Sequence, residues 1–358
     1  MRPGSWPCGV SESNSTLRPQ PPGTRGRVVE FELESRILAA VNPLADPTRR
    51  KLAVYLPACY ERDVSRHFPV LWSLAAYTSS GPAQWAWRNH GENLPARLDR
   101  LIDQALMPPA LVVMPDSYTS LGGNQFVDTP AMGLYARHLV EELVPAVDQG
   151  FRTIAEAAGR AVFGKSSGGF GALHLAAHYP GVFGALASHA GDCGFDRVYL
   201  RDFTVCCDEL ALHDHDLRRF AQGFWRSRTA SHRAFQTLMV LCLAASYSPA
   251  PGLPLGLELP FDLETAQLDA TVWARWQAFD PVHYAGAQLE ALAELRGLWI
   301  DAGNRDQYFI HYGTRQLHRQ LDAAGVRHHH EEFDGNHSHM DWRFDHSLPW
   351  LLAQLKQD

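Results

Sequence analysis

The 358-residue chain has few cysteines, no long apolar run and no stripe of basic residues. Its six cysteines show neither the C-x-x-C spacing of a metal site nor the pattern of a disulfide framework, which favours a reducing, cytoplasmic compartment. No stretch of about 18 apolar residues is present, so we expect no membrane span. Acidic and basic residues are mixed along the chain, and the formal net charge is −7. We therefore expect no nucleic-acid partner.

The first 27 residues differ in composition from the rest of the chain. They are rich in Pro, Ser, Gly and Arg, and they lack the apolar segment of a secretory signal peptide. Such a composition buries too little apolar surface to offset the entropy of ordering, so we predict a disordered or loosely packed tail at 1–27. The whole chain is 46% hydrophobic and 20% charged, an ordinary globular balance. We place the folded domain at 28–358.

The most informative segment is Gly164-Lys165-Ser166-Ser167-Gly168, which fits the G-x-S-x-G pattern of a nucleophile elbow. An apolar run at 161–163 precedes it, and a helix-like segment at 169–178 follows it. Strand, sharp turn and helix are the context that this motif requires. Gly164 and Gly168 leave room for the close approach of strand and helix around the turn. The alternative interpretation is a Gly/Ser-rich connection or a phosphate-binding loop.

A serine hydroxyl is a weak nucleophile at neutral pH, so Ser166 needs a base and an acid that orients the base. In α/β-hydrolases these follow the serine in the order acid, then histidine. A predicted buried strand at 298–300 is followed by a loop that contains Asp306, and the next strand-like segment is followed by a loop that contains His337. We therefore predict Asp306 as the acid and His337 as the base.

Other residues could fill these roles. Asp301, at the end of its strand, could be the acid, although a residue in this place more often braces the loop. Asp192 follows the preceding strand, where some hydrolases place the acid. His339 could be the base if the loop register differs. His337, His339 and Asp341 also show an H-x-H-x-D spacing, which leaves a metallohydrolase as an alternative from another class.

Further blocks of sequence occur in a recognisable order between about residues 29 and 345. They lie at 35–38, 52–57, 68–71, 112–116, 141–148, 164–173, 301–306 and 335–337. Together they resemble the esterase family of α/β-hydrolases, which includes S-formylglutathione hydrolases (esterase D), enterochelin-type esterases, feruloyl and acetyl-xylan esterases, and mycolyltransferases. The resemblance implies a mostly parallel central sheet flanked by helices. It also implies a serine carboxylesterase, without a cofactor, that acts on small-molecule or polymeric esters.

The resemblance has further consequences. An S-formylglutathione-type thioesterase or an acyltransferase would use the same triad, and members of the family often form dimers. The family usually has His-Gly before one residue of the oxyanion hole, but this chain has Leu74-Ala75-Ala76-Tyr77 there. Because the oxyanion hole uses a backbone N–H, this change need not abolish it. By position, the donors are the N–H groups of Ser167 and Tyr77. We assign no role to Lys165.

Between two predicted core strands, the segment at 193–285 is too long for a single connection. We predict that it forms a mostly helical cap over the C-terminal edge of the sheet. Its aromatic residues could form the cap's own core or line an acyl or aryl pocket. Helical patterns occur at 210–225, 231–245 and 263–279.

Overall fold

The strands of the computed structural model, which describes residues 25–358, form one large sheet and one two-stranded ribbon. The strands are β1 (Arg27–Glu34), β2 (Arg49–Leu56), β3 (Val70–Leu74), β4 (Leu111–Pro115), β5 (Asp128–Thr129), β6 (Gly133–Leu134), β7 (Arg160–Lys165), β8 (Ala185–His189), β9 (Gly297–Gly303) and β10 (His329–Phe333). Only β5 and β6 lie outside the large sheet, where they pair with each other.

The large sheet is mostly parallel. Its strands follow the order β1-β2-β4-β3-β7-β8-β9-β10. The pairs β1–β2 and β2–β4 are antiparallel, and all the other neighbouring pairs are parallel. Every residue of β3, β4, β8 and β9 is buried, as expected for parallel strands that are covered on both faces. This architecture confirms the predicted fold class.

Helices cover both faces of this sheet. They are α1 (Arg36–Ala40), α2 (Gly81–Trp85), α3 (Leu94–Asp103), α4 (Tyr135–Arg137), α5 (Val144–Gly150), α6 (Ser167–His178), α7 (Phe195–Val198), α8 (Leu200–Ala211), α9 (Leu217–Arg226), α10 (His232–Tyr247), α11 (Ala270–Gln277), α12 (Ala287–Ala293), α13 (Ile310–Ala323) and α14 (Phe344–Gln354). Alternate strand residues point to opposite faces. Thus Val54 packs in a core with residues of α5, α6 and α13, whereas Tyr55 packs in another with residues of α3 and α14.

The helices α7 to α11 all lie between β8 and β9, and we call residues 195–277 the helical insertion. The prediction of one helix over 210–225 is wrong, because α8 ends at Ala211 and α9 begins at Leu217. Between them, Asp214 and His215 adopt positive φ angles of 55° and 56°, which a helix does not allow. The Asp216 side chain then accepts N–H bonds from the first turn of α9 and caps it.

The prediction of one helix over 263–279 is also too long. The Asp262 side chain accepts the N–H groups of Glu264 and Thr265, so this part of the chain forms a local turn. Helix α11 begins only at Ala270, after the N-cap Asp269. In both cases, side-chain capping by aspartate overrides an apolar pattern that would permit a longer helix.

The predicted tail at 1–27 falls largely outside the described residues, which begin at residue 25, and its last residue, Arg27, already belongs to β1. Over residues 25–358, no helix has the length and apolar character needed to cross a membrane.

The contact between α6 and the sheet brings backbone against backbone. A Cβ atom on Gly168 would lie 2.3 Å from the carbonyl oxygen of Leu74 in β3. A Cβ atom on Gly164 would lie 2.5 Å from the backbone carbon of Gly168. Neither position has room for a side chain, because the opposing atoms belong to the main chain and cannot rotate away. The two glycines therefore occupy places that only glycine can fill.

We expect Gly168→Ala to lower the free energy of unfolding by about 3 kcal/mol, because the added methyl group forces α6 away from β3. Urea unfolding measures this loss. Gly150→Ala is the matched control, since a Cβ atom there would meet nothing within 4 Å. Equal stability of the two variants would contradict the packing argument.

Candidate active site

Ser166 lies on the sharp turn between β7 and α6. Its φ and ψ angles of 55° and −128° are rarely adopted by residues other than glycine. Its N–H donates to the carbonyl oxygen of His189 in β8 (2.9 Å), and its own carbonyl accepts the N–H of Phe170 in α6 (2.9 Å). The backbone is therefore held in this conformation by bonds to a strand and to a helix. This is the geometry of a nucleophile elbow.

Asp306 and His337 form a buried pair on two neighbouring loops. The loop after β9 carries Asp306, and the loop after β10 carries His337. The distance from Asp306 Oδ2 to His337 Nδ1 is 2.8 Å, and the Asp306 side chain is fully buried. Asp306 Oδ1 accepts the N–H of Tyr308 (2.8 Å), so both carboxylate oxygens have a partner. If Nδ1 carries the proton, as a carboxylate partner favours, Nε2 is left as an acceptor.

The Tyr308 ring also contacts the imidazole edge to face, with ring centroids 4.9 Å apart. The N–H of His337 donates to Gln307 Oε1 (3.0 Å). Ring and backbone of the histidine are thus both positioned by the loop that carries Asp306. The side chain of His337 is 13% exposed, and it lines the same cavity as Ser166. Ser166 Oγ and His337, both within the described residues, are not hydrogen-bonded to each other, and such bonds often form only once substrate is present.

The cavity has a volume of about 830 Å³ and opens over Ser166, Ser167, Tyr77 and His337. Among the described residues, no backbone carbonyl accepts the N–H of either Ser167 or Tyr77. Such free donors beside a candidate nucleophile are what an oxyanion hole requires.

The contacts that hold these two donors come from the loop after β4. Gln125 Nε2 donates to Ser167 Oγ (2.9 Å), and the hydroxyl of Tyr77 donates to the carbonyl oxygen of Leu121 (2.9 Å). The Thr78 N–H donates to the Gly122 carbonyl (2.9 Å). Sequence reasoning missed Gln125, because no local pattern marks a buried amide that contacts a residue 42 positions away.

The alternative acid Asp301 has other partners. Its Oδ1 lies 2.8 Å from His189 Nδ1, and its Oδ2 accepts from Trp299 Nε1 (2.9 Å) and Arg343 Nε (2.8 Å). Burial acts to raise the pKa of Asp301, but the charges and hydrogen bonds of His189 and Arg343 outweigh it and hold the pKa below its ordinary value. Asp301 therefore braces β8, β9 and α14 and is not directed at His337.

The alternative acid Asp192 lies closer to the proposed centre. It lines the cavity together with Ser166 and His337. Its Oδ2 accepts the hydroxyl proton of Tyr199 (2.8 Å), and Gln125 provides a further hydrogen bond. Burial raises the pKa of Asp192 to about 6, an effect that the Tyr199 bond and the nearby His337 reduce without cancelling. Asp192 is thus a second carboxyl group within the cavity, although His337 Nδ1 is already bonded to Asp306.

The alternative metal site at His337, His339 and Asp341 does not assemble. Asp341 forms ion pairs with Lys165 and with Arg88 Nη1, the latter at 2.8 Å. Within residues 25–358, the ligand atoms of the three residues do not converge on one point. His339 also lines the cavity, but within residues 25–358 it has no carboxylate partner, whereas His337 is bonded to Asp306. Lys165, to which the sequence assigned no role, is the partner of Asp341.

Aromatic and aliphatic side chains of the helical insertion form one wall of the cavity. Phe224, Trp225, Phe235 and Met239 come from α9 and α10. Trp225 is 49% exposed and Phe235 41% exposed, whereas Trp276 and Phe220 are buried in the insertion itself. Some aromatic residues of the insertion therefore pack within it, and others line the cavity that contains Ser166.

Comparison with known proteins agrees with this geometry. Residues 46–349 match the model of a family described as "Putative esterase". An esterase of Mycobacterium tuberculosis strain H37Rv is 38% identical over 256 residues, which are 69% of this chain and 46% of the relative. A protein of the same description in strain CDC 1551 matches to the same extent. The chain thus spans less than half the length of the curated relatives it matches.

Solved structures show the same fold at low identity. A ferulic acid esterase aligns with a TM-score of 0.60 and 18% identity, covering 92% of this chain and 99% of its own. An S-formylglutathione hydrolase from Agrobacterium tumefaciens aligns with a TM-score of 0.53 and 16% identity, covering 93% and 97%. Since the family model matches across most of the described domain, the chain belongs to the esterase family and has the α/β-hydrolase fold.

Proposed function

We propose that the chain is a serine carboxylesterase that hydrolyses carboxylic esters through an acyl-enzyme intermediate. Ser166 is the nucleophile, His337 the general base and Asp306 the acid that orients the base. The observation that carries the proposal is the buried Asp306–His337 pair, which opens on the same cavity as the strained Ser166 turn.

The reaction proceeds in two halves. His337 Nε2 removes the proton of Ser166 Oγ as that oxygen attacks the ester carbonyl, and Asp306 stabilises the imidazolium. The N–H groups of Ser167 and Tyr77 bind the tetrahedral oxyanion. The intermediate collapses, and His337 returns the proton to the departing alcohol. Water, activated by the same imidazole, then attacks the acyl-enzyme, and the carboxylic acid leaves with Ser166 restored.

The cavity suits uncharged substrates with a bulky apolar part. Its volume lies within the range of sites that enclose drug-sized ligands, and its wall is rich in aromatic side chains. We propose that the helical insertion caps the site and that its aromatic residues bind the acyl or alcohol group. Among the described residues that line the cavity, Lys165 is the only lysine, and there is no arginine. Its charge is already paired with Asp341. An S-acylglutathione carries two carboxylates, and the cavity offers no unpaired lysine or arginine among the described lining residues to neutralise their charge.

Asp192 strengthens this selectivity. Above its pKa of about 6, the buried carboxylate places a negative charge in the cavity. Its charge favours the imidazolium form of His337 and repels an anionic substrate. The thioesterase and acyltransferase alternatives use the same triad, so substrate charge and acceptor are what separate them from the proposed activity.

For the triad, we expect Ser166→Ala to lower kcat on a p-nitrophenyl ester by roughly 10⁶-fold, because the nucleophile is lost. Asp306→Asn should lower kcat on the order of 10⁴-fold, because the histidine then adopts the wrong tautomer. A fluorophosphonate probe should label Ser166 in the wild type, with mass spectrometry of peptides as the readout.

Asp301→Asn is the matched control for the acid. It should leave kcat within about tenfold of wild type but reduce stability by about 3 kcal/mol or more, because a buried charge network loses a partner. If Asp301→Asn or Asp192→Asn lost more activity than Asp306→Asn in the folded state, the acid would have to be reassigned. Wild-type turnover by folded Ser166→Ala would refute the serine mechanism.

For the substrate, we compare two p-nitrophenyl esters of equal acyl length, one ending in a methyl group and one in a carboxylate. We expect kcat/KM to be about tenfold higher for the neutral ester, as for two like charges ~10 Å apart at an effective dielectric constant of about 20. Asp192→Asn should bring the kcat/KM values of the two esters closer together.

The alternative activities are tested with other substrates. Faster turnover of S-formylglutathione than of either ester would favour the thioesterase alternative, and efficient transfer to an added alcohol would favour the acyltransferase.

For Asp192, stability should depend on pH. The carboxyl group titrates at about 6 when folded and at about 3.9 when unfolded, so the folded state holds its proton more tightly. The stabilising contribution of that proton is present at low pH and is lost as the pH rises through 6. The asparagine side chain does not titrate, so its contribution to stability stays constant over this range. The free energy of unfolding of Asp192→Asn, relative to that of wild type, should therefore be roughly 1–1.5 kcal/mol higher at pH 8 than at pH 5.

Urea unfolding at the two pH values measures this gain. The control is Asp208→Asn, an acid of the helical insertion whose side chain is 73% exposed, and it should show no such change. A stability difference between Asp192→Asn and wild type that stays constant with pH would contradict the burial of an ionisable carboxyl group.

A further inference from the structure

A second cluster of ionisable side chains lies outside the proposed active site. His318 and Asp322 stand four residues apart on α13, which places them on one face of the helix. The chain then turns at Gly325, where φ is +67°, and brings His328 back against this face just before β10. One ligand atom from each of the three side chains lies within 4.8 Å of the other two.

The distances within the cluster fit a small cation. His318 Nδ1 lies 2.8 Å from His328 Nε2, His318 Nε2 lies 3.5 Å from Asp322 Oδ2, and His328 Nε2 lies 3.9 Å from Asp322 Oδ1. Ligands at 2.0–2.1 Å from a tetrahedral Zn²⁺ are about 3.3 Å apart. An imidazole presents only one of its two nitrogens to an ion, so His318 would bind through either Nδ1 or Nε2. The three ligand atoms, one from each residue, lie within 4.8 Å of one another and would have to draw together to this spacing.

The hydrogen-bond partners of the two histidines indicate which of their ring nitrogens carry a proton. His328 Nδ1 lies 2.8 Å from the carbonyl oxygen of Val326, which can only accept, so Nδ1 carries the proton and neutral His328 has a lone pair on Nε2. His318 Nδ1 must then donate to that lone pair. This leaves His318 Nε2 with its own lone pair directed towards the carboxylate of Asp322. The His318 ring and the Asp322 carboxylate thus both offer lone pairs to a cation placed between them.

The surroundings have the form of a metal site. The bond from His328 Nδ1 to a backbone carbonyl is the outer contact that usually fixes the tautomer of a metal-ligating histidine. The His318 ring stacks on His330, with centroids 4.2 Å apart, which limits its rotation. The side chain of His328 is 3% exposed and that of Asp322 62% exposed, so an ion has a path from solvent. Imidazole and carboxylate ligands together suit zinc.

We propose that His318, Asp322 and His328 bind one Zn²⁺ ion, with water in the remaining position. The ion joins the C-terminal half of α13 to the start of β10. These elements lie between the loop that carries Asp306 and the loop that carries His337. The site therefore stabilises the frame that holds the acid–base pair and takes no part in the reaction.

The test is isothermal titration of the EDTA-treated 358-residue chain with ZnCl₂. We expect one site per chain for wild type, and a rise in Tm of roughly 4 °C at a free zinc concentration one hundred times the Kd. His328→Ala and His318→Ala should each weaken binding at least tenfold and remove the Tm shift. Asp322→Asn changes an exposed side chain without altering its shape, so it should weaken binding in a protein that folds normally.

Two controls separate this site from other histidines. His90→Ala removes an exposed histidine on another part of the surface, and His339→Ala removes one beside the cavity; neither should change the titration. EDTA should lower Tm in zinc-containing buffer and leave ester hydrolysis at 25 °C unchanged. Binding that all five variants retain, or binding to several weak sites without a Tm shift, would overturn the proposal and indicate adventitious surface binding only.

Discussion

The contact between the main chains of α6, β3 and β7 is the constraint on which the proposed site depends. Gly164 and Gly168 meet each other, and Gly168 meets Leu74, at distances that leave no space for a side chain. Because α6 starts so close to β3, the N–H of Ser167 lies near the chain that leaves β3 and carries Tyr77. One packing contact thus fixes the turn at Ser166 and the separation of the two proposed oxyanion donors. Gln125 and the loop around Leu121 then hold each donor from the far side.

A buried network of charged side chains around Asp301 supports the sheet beneath the site. Asp301 joins His189, Trp299 and Arg343, and Arg343 also pairs with Glu331 in β10. It therefore ties the C-terminal halves of three adjacent strands to α14. Such a buried network is costly to leave incomplete, so its members are strongly constrained. Asp301 is thus engaged with these residues, and it is Asp306, in the following loop, that binds the imidazole of His337. Two aspartates five positions apart are thus divided between structural support and proposed chemistry.

The sequence was sufficient for the features that local rules encode. Ser166, Asp306 and His337 each follow a strand, and the structure places Asp306 against His337 and directs Ser166 into their cavity. Tyr77 could be reached only through family resemblance, because a backbone N–H leaves no trace in residue type. Gln125 was missed because it acts on a residue 42 positions away. Tyr199 lies only seven residues from its partner Asp192, but no local pattern marks the contact. The two overlong helices failed where aspartate caps and positive φ angles outweighed apolar spacing. The cluster at His318 depends on a turn at Gly325 whose geometry the spacing of histidines does not reveal.

The position of the helical insertion has a consequence for how such an enzyme can diversify. The proposed nucleophile precedes the insertion, and the proposed acid and base follow it. The insertion does not interrupt the sheet, because β8 pairs directly with β9. The insertion supplies the aromatic wall of the cavity and the Tyr199 hydroxyl that holds Asp192. The segment that leads into the insertion packs closely on α13, where a Cβ atom on Gly313 would lie 1.9 Å from the carbonyl oxygen of Cys193. The proposed triad and the part of the cavity wall that the insertion supplies therefore lie in separate segments of the chain. Point changes or length variation within residues 195–277 can alter this wall without changing Ser166, Asp306 or His337.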